Sequence, residues 1–166
     1  MQKFMFDTNA FTALINSPMD WTTFFQSRKR EIEFIITSVQ IEELAEISDA
    51  YKEKRVKHFL CLCSMNPKLI PTMGVVGYTR LGLSIFGGGE EVNVYDSLLN
   101  KEKNNICDAI IGAAAYREKC ILITDDKRFR KKLISNGINT KTFEEFCDYL
   151  KKLSTSTVDS PQNDVD

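Results

Sequence analysis

Along the chain, short wholly apolar runs alternate with longer stretches in which apolar residues recur every three or four positions. This is the rhythm of buried parallel strands separated by amphipathic helices. Lys3 to Phe6 is the first run, and after Asp7-Thr8-Asn9 the residues Phe11, Leu14 and Ile15 continue at helical spacing. Ser17-Pro18 breaks that helix, and Trp21, Phe24 and Phe25 carry the apolar face on to the charged turn Arg28-Lys29-Arg30-Glu31. Glu33 to Thr37 predicts a second strand. Thr37 and Gln40 have capping-box spacing, so a helix should begin at Thr37 or Ser38 with Ile41, Leu44 and Ile47 inward. Asp49 to Cys63 predicts a further helix with Val56, Phe59, Leu60 and Cys63 inward and Lys52, Lys54, Arg55 and Lys57 outward.

Lys68 to Pro71 predicts a short strand, followed by a glycine-rich segment over 74–91. Its Gly87-Gly88-Gly89 run is not followed by Gly-Lys-Ser/Thr, so it predicts a flexible connection or lid and no phosphate loop. Asp108 opens a helix whose small residues Gly112 to Ala115 would let it lie close on a sheet. Cys120 to Thr124 is a buried-type strand that stops at Asp125 and Asp126. Gly137 to Thr140 predicts a last edge strand, and Phe143, Phe146, Cys147, Leu150 and Leu153 a final helix. The pattern predicts one α/β domain over 1–153, a three-layer α/β/α sandwich with a mainly parallel sheet. Residues 154–166 have almost nothing apolar to bury and are expected to be disordered.

Composition narrows the chemistry. The 166 residues are 43% hydrophobic and 27% charged, with a net charge of −1, which fits one soluble domain. No apolar run has membrane length, and MQKFMFDTN is no secretory signal, so a cytoplasmic location is expected. The five cysteines form no CxxC and predict reduced, buried side chains. The one histidine, His58, predicts a solvated helix position and argues against zinc or histidine-based catalysis.

Parallel strands share a C-terminal edge, and open α/β sheets bind ligands there. Asp7 follows the first strand and Asp126 follows Cys120–Thr124. The Asp108 helix runs antiparallel to the strand after it, which returns Asp108 to the same edge. Glu43 lies only about 7 to 9 Å into its helix at the helical rise, and its side chain tilts back toward the helix start. Singly, each acid has an ordinary alternative: a helix N-cap for Asp7 and Asp108, a polar turn for Asp125-Asp126, a solvated face for Glu43. Together, those alternatives would have to gather four charges on one edge by coincidence. Crowded carboxylates stay ionised only around a cation, and an all-oxygen set suits Mg²⁺ or Mn²⁺. The chemistry implied is phosphodiester hydrolysis by metal-activated water. Asp125 is the less favoured alternative to Asp126, by Thr-x-Asp spacing. Lys127, Arg128, Arg130, Lys131 and Lys132 follow the acids, and Lys101 and Lys103 precede Asp108. Beside a metal site such cations would hold an RNA backbone; elsewhere they would be a solvated helix face.

The strand–Asp7-Thr8-Asn9 start, Ser38-Val39 followed by Glu43-Leu44, Asp108-Ala109-x-x-Gly112-Ala113-Ala114-Ala115, and Ile123-Thr124-Asp125-Asp126-x-x-Phe129 together resemble a PIN-domain ribonuclease of the VapC toxin type. The resemblance implies a five-stranded parallel sheet and Mg²⁺- or Mn²⁺-dependent RNA cleavage. It makes Asp7, Glu43, Asp108 and Asp126 metal ligands, with Asn9 and Thr124 orienting them or their water. A toxin of this type would dimerise and bind a small antitoxin over the acidic crevice; an RNA-processing enzyme is the other form the resemblance takes. The alternative is a catalytically degenerate PIN module acting as an RNA- or protein-binding scaffold. A haloacid-dehalogenase-like phosphatase would want Asp where Asn9 stands, and a receiver-like domain would want paired acids ending the first strand.

Overall fold

A computed structural model of the chain describes residues 1–27, 31–99 and 105–156. The elements run β1 (Gln2–Phe6), α1 (Thr8–Asn16), α2 (Trp21–Ser27), β2 (Ile32–Thr37), α3 (Ser38–Ala45), a 3-10 turn (Asp49–Tyr51), α4 (Lys52–Met65), β3 (Lys68–Ile70), β4 (Thr72–Met73), β5 (Ser84–Ile85), α5 (Gly89–Leu99), α6 (Ile106–Glu118), β6 (Ile121–Ile123), α7 (Lys127–Ser135), β7 (Thr140–Lys141) and α8 (Phe143–Ser156). Five strands form one sheet in the order β3-β2-β1-β6-β7, every pair parallel. The expected α/β sandwich is the observed one.

β1 is the centre because both of its faces are apolar, and strand side chains alternate between faces. Phe4 and Phe6 join Phe34, Ile36 and Ile123 in a core closed by α1, α2, α4 and α8. Met5 joins Ile35 and Leu122 in a second core under α5, α6 and α7. The first core is built around Phe146 of α8, which meets Phe4 and Phe6 edge-on at centroid distances of 5.1 and 5.0 Å. In the second, the small residues of α6 admit neighbouring helices as well as the sheet: a Cβ on Gly112 would meet Leu98 of α5 at 2.5 Å and Leu133 of α7 at 3.0 Å.

The capping box forms in full at α3, with Thr37 and Gln40 bonded reciprocally. The buried Gln40 side chain also donates to the carbonyl of Phe6, tying α3 to the end of β1.

Three expectations need correction. The buried stripe of α4 is His58, Leu62 and Met65, while Val56 and Leu60 are 46% and 63% exposed and Cys63 is exposed as well. Burying an imidazole is tolerated here because both nitrogens have partners: Nδ1–H donates to the Lys54 carbonyl at 2.7 Å and the Thr12 hydroxyl donates to Nε2 at 3.3 Å. The glycine-rich segment is not simply a connection. β4 and β5 form a two-stranded parallel ladder, and Val75 N–H donates to Thr79 Oγ1 at 2.8 Å inside the intervening turn. Gly77 and Gly82 sit at φ +85° and +88°, where side-chain-bearing residues are strained. α5 then buries Val94 and Leu98; the glycines ahead of it hide that helix from a periodicity reading. Finally, the last strand is Thr140–Lys141, later than expected, and α8 runs past Leu153 to Ser156.

The turn at Arg28–Arg30, Lys101, Lys103 and residues 157–166 lie outside the described residues. No described helix is long and apolar enough to cross a membrane.

Candidate active site

The C-terminal edge of the sheet gathers the acids. Asp7 follows β1, its amide donating to the Ile123 carbonyl at 2.9 Å, so it is locked beside the end of β6. The residue has N-cap backbone angles for α1, yet its carboxylate forms no capping bond. Oδ2 instead accepts from the Thr124 hydroxyl at 2.9 Å. The backbone amides of Thr8 and Asn9 lean toward the carboxylate and partly offset its burial; the Asn9 side chain is exposed, so its influence comes from the backbone.

Glu43 projects from α3, where the hydroxyl of Thr8 donates to its Oε2. Thr8 therefore orients one acid as Thr124 orients another, and it was not among the expected site residues. Its legible signal was a hydroxyl directly after an acid at a strand–helix junction. Asp108 occupies the first turn of α6, next to Cys107, whose thiol bears on Glu43. Asp126 is the N-cap of α7: its Oδ1 accepts from the amides of Arg128 and Phe129 at 2.7 and 2.9 Å. Asp125 turns the other way and accepts from the Phe143 amide at the start of α8, at 3.0 Å. Of the doublet, Asp126 is the residue that acts electrostatically on Asp7 and Asp108.

Burial and mutual repulsion set the electrostatics. Burial raises the Asp7 carboxyl above its ordinary range, and the Asp126 charge adds to it. Burial likewise raises Glu43, with Asp7 adding. Asp108 is pushed up to about 6, by burial first and then by Asp7, Glu43 and Asp126, with Lys132 opposing. This is the pattern of a desolvated cluster of carboxylates whose like charges oppose one another's ionisation. Among the described residues, no three acidic, histidine or cysteine side chains stand close enough together to hold an ion as they are arranged. The donor chemistry therefore fits a hard divalent cation, while a finished cage is not formed.

A cavity of about 570 Å³ opens at this edge, and Asp108, Asp126, Arg128, Lys131 and Lys132 are among the residues that line it. Lys132 is partly buried, with Nζ 3.5 Å from the Leu98 carbonyl. Lys127 is exposed at the start of α7. Arg130, by contrast, turns away: its guanidinium donates to both carboxylate oxygens of Glu145, at 2.7 and 3.0 Å, and to Thr140 at 3.2 Å. It ties α7 to α8 and does not line the cavity.

No family model matches the sequence, and no curated protein matches it. Solved structures do match. VapBC2 from Rickettsia felis, solved bound to a DNA fragment from its promoter, aligns with 85% of this chain and 98% of its own, at 17% identity and a TM-score of 0.54. VapBC-1 from nontypeable Haemophilus influenzae aligns with 86% of this chain and 99% of its own, at 14% identity and a TM-score of 0.52. DNA-bound VapBC from Salmonella typhimurium gives 86% and 99%, with 15% identity and a TM-score of 0.52. At these identities the likeness is one of fold: the chain folds as VapC-like PIN domains do.

Proposed function

We propose that this protein is a Mg²⁺- or Mn²⁺-dependent endoribonuclease in which Asp7, Glu43, Asp108 and Asp126 hold the metal. The observation that carries the reading is the edge itself: four carboxylates from four separate elements repel one another beside a wall of cations. When bound, a divalent ion supplies a water activated for attack on phosphorus and offsets the charge of the phosphate. Thr124 and Thr8 hold the carboxylates of Asp7 and Glu43 in place. Arg128 and Lys131, with Lys127 at the rim, hold the phosphate backbone of RNA. Arg130 is left out because Glu145 already engages it.

The VapBC fold neighbours support a toxin-like role, with a homodimer and an antitoxin protein over the crevice as its partners and the cytoplasm as its location. RNA processing is the alternative within the same chemistry. A second reading, a degenerate PIN scaffold that binds without cutting, draws on the unformed metal cage.

The test is incubation of the purified protein with generic RNA in Mn²⁺, Mg²⁺ or EDTA, beside Asp7→Asn and Asp108→Asn. Cleavage by the wild type that EDTA and either substitution abolish is the expected result. RNA that is bound but left intact by metal-loaded wild type would select the scaffold.

A further inference from the structure

A second cavity, of about 720 Å³, opens at the other end of the sheet from the acids, where β6 and β7 begin. The buried residues Ala115 and Ile138 supply apolar lining, and Ile85 and Phe86 of the glycine-rich segment add to it. Ile85 is 40% exposed and Phe86 fully so, at 104%. A large apolar side chain held in water beside an apolar recess marks a surface that a partner covers.

The surroundings hold this surface in place. Glu91 of α5 is buried and forms an ion pair at 2.8 Å with Arg117 of α6, and Arg117 also donates to the Pro71 carbonyl just before β4. β5 is bound to β4 through the amides of Thr72 and Gly74, which donate to the carbonyls of Leu83 and Ile85 at 3.1 and 3.0 Å. Backbone groups alternate in direction along a strand, so Ser84, between those two residues, turns its amide and carbonyl to the outer edge of β5. No strand of the described residues lies along that edge.

Two features select a second copy of the same chain as the occupant. An unpaired strand edge is complementary to itself, since two copies related by a twofold axis pair antiparallel through the same groups. The cavity also carries Glu90 and Lys119, both exposed. Glu90 accepts from the uncharged Tyr116 hydroxyl at 3.2 Å, and neither it nor Lys119 forms an ion pair among the described residues. A twofold axis sets each acid against the other copy's base, so one surface supplies both signs. A stable contact buries roughly 800 Å² from each partner, of which the Phe86 ring supplies about 150–250 Å².

We propose that two copies of the chain dimerise through the Ser84–Phe86 edge and the cavity beside it, with Phe86 of each copy covered by the other and Glu90 facing the other copy's Lys119. The contact lies at the opposite end of the sheet from Asp7, Asp108 and Asp126, so it leaves both acidic edges open. It gives the homodimer of the toxin-like reading a surface, and it stands without RNA cleavage.

The test is the oligomeric state of the full chain, followed by sedimentation velocity over a concentration series, with melting curves to show that each variant is folded. The wild type should dimerise, and Phe86→Asp should raise the dissociation constant by roughly thirtyfold or more, the size of an aromatic hot spot. Leu60→Asp, on the exposed face of α4, should leave it unchanged. Glu90→Lys and Lys119→Glu should each weaken the dimer by at least about tenfold through like-charge contact. An equimolar mixture of those two variants should recover it, because the mixed dimer restores both pairs. A wild type that stays monomeric up to about 100 μM, well above the micromolar limit of contacts this size, overturns the proposal. So does a dimer that survives Phe86→Asp or is lost in Leu60→Asp, or a mixture of the charge variants no tighter than either alone. Incubation with RNA and Mn²⁺ separates this from the ribonuclease reading. A dimer of this kind that cuts no RNA refutes the ribonuclease alone; a monomer that cuts RNA refutes the dimer alone.

Discussion

Thr124 donates its hydroxyl hydrogen to Oδ2 of Asp7 across 2.9 Å, joining residues 117 positions apart in the chain. Both side chains are buried, so no water can replace the bond. Thr124→Val keeps the shape and removes the donor, and the loss should cost about 1.5–3 kcal/mol, the range for hydrogen bonds to charged groups. Thr124→Ser should recover most of it. Thermal melting of the three proteins checks this, and Mn²⁺ titration should show weaker binding in the valine variant. A Thr124→Val protein as stable as wild type would mean that Asp7 is held by other contacts.

Asp108 should make the metal-free protein less stable as pH rises. Its carboxyl titrates at about 6 in the folded state against an ordinary 3.8. The native state therefore keeps a proton longer than the unfolded chain. The penalty is absent below about pH 4, grows as pH climbs toward 6, and levels off above, at no more than about 3 kcal/mol for a shift of this size. Asp108→Asn should flatten that slope and be the more stable protein at pH 7 in EDTA, while losing the stabilisation that Mn²⁺ gives the wild type. Denaturant titrations at pH 4, 5, 6 and 7 would expose an unchanged slope, which would deny the repulsion.

His58 should give the opposite slope, because its folded-state shift runs downward. Its imidazole is buried and neutral, and burial lowers it from the ordinary 6.5. Its contribution is complete above pH 6.5 and is lost as pH falls below that, because the unfolded chain then takes the proton more readily. Loss of stability between pH 6.5 and 5 that is weaker in His58→Gln is the expected result, read by melting temperature.

Asp126 should separate capping from chemistry. Its Oδ1 accepts from two α7 amides, a role asparagine also fills. Asp126→Ala should cost roughly 0.5–2 kcal/mol and Asp126→Asn little, whereas RNA cleavage should fall by orders of magnitude in both. An active Asp126→Asn would confine the residue to capping.

The α7 cations should divide by what they touch. Arg128→Ala with Lys131→Ala should weaken RNA binding and flatten its dependence on salt. Arg130→Ala should leave RNA affinity nearly intact and lower stability, because Arg130 is paired with Glu145. Affinities measured across a salt series, beside melting curves, distinguish the two groups; equal losses of affinity would return Arg130 to the substrate wall.

By itself the sequence determined the strand–helix rhythm, the parallel sheet and the edge on which the acids lie. Period-2 and period-3.6 hydrophobicity are local, and the carboxyl ends of parallel strands coincide whatever the side chains do. It also determined the Thr37–Gln40 cap, since both partners lie within one turn. What depended on partners far along the chain was decided only by the tertiary structure. Two apolar stripes compete on α4, and only packing against Thr12 and the first core buries His58 and exposes Leu60. Asp125 and Asp126 are neighbours of one type, and it takes the amides of α7 and α8 to send them apart. Arg130 reads like its basic neighbours until Glu145 of α8 comes beside it. The glycine-rich stretch carries no periodicity to read, so its ladder and the helix after it arise from contacts with α3 and α6 that no local pattern encodes.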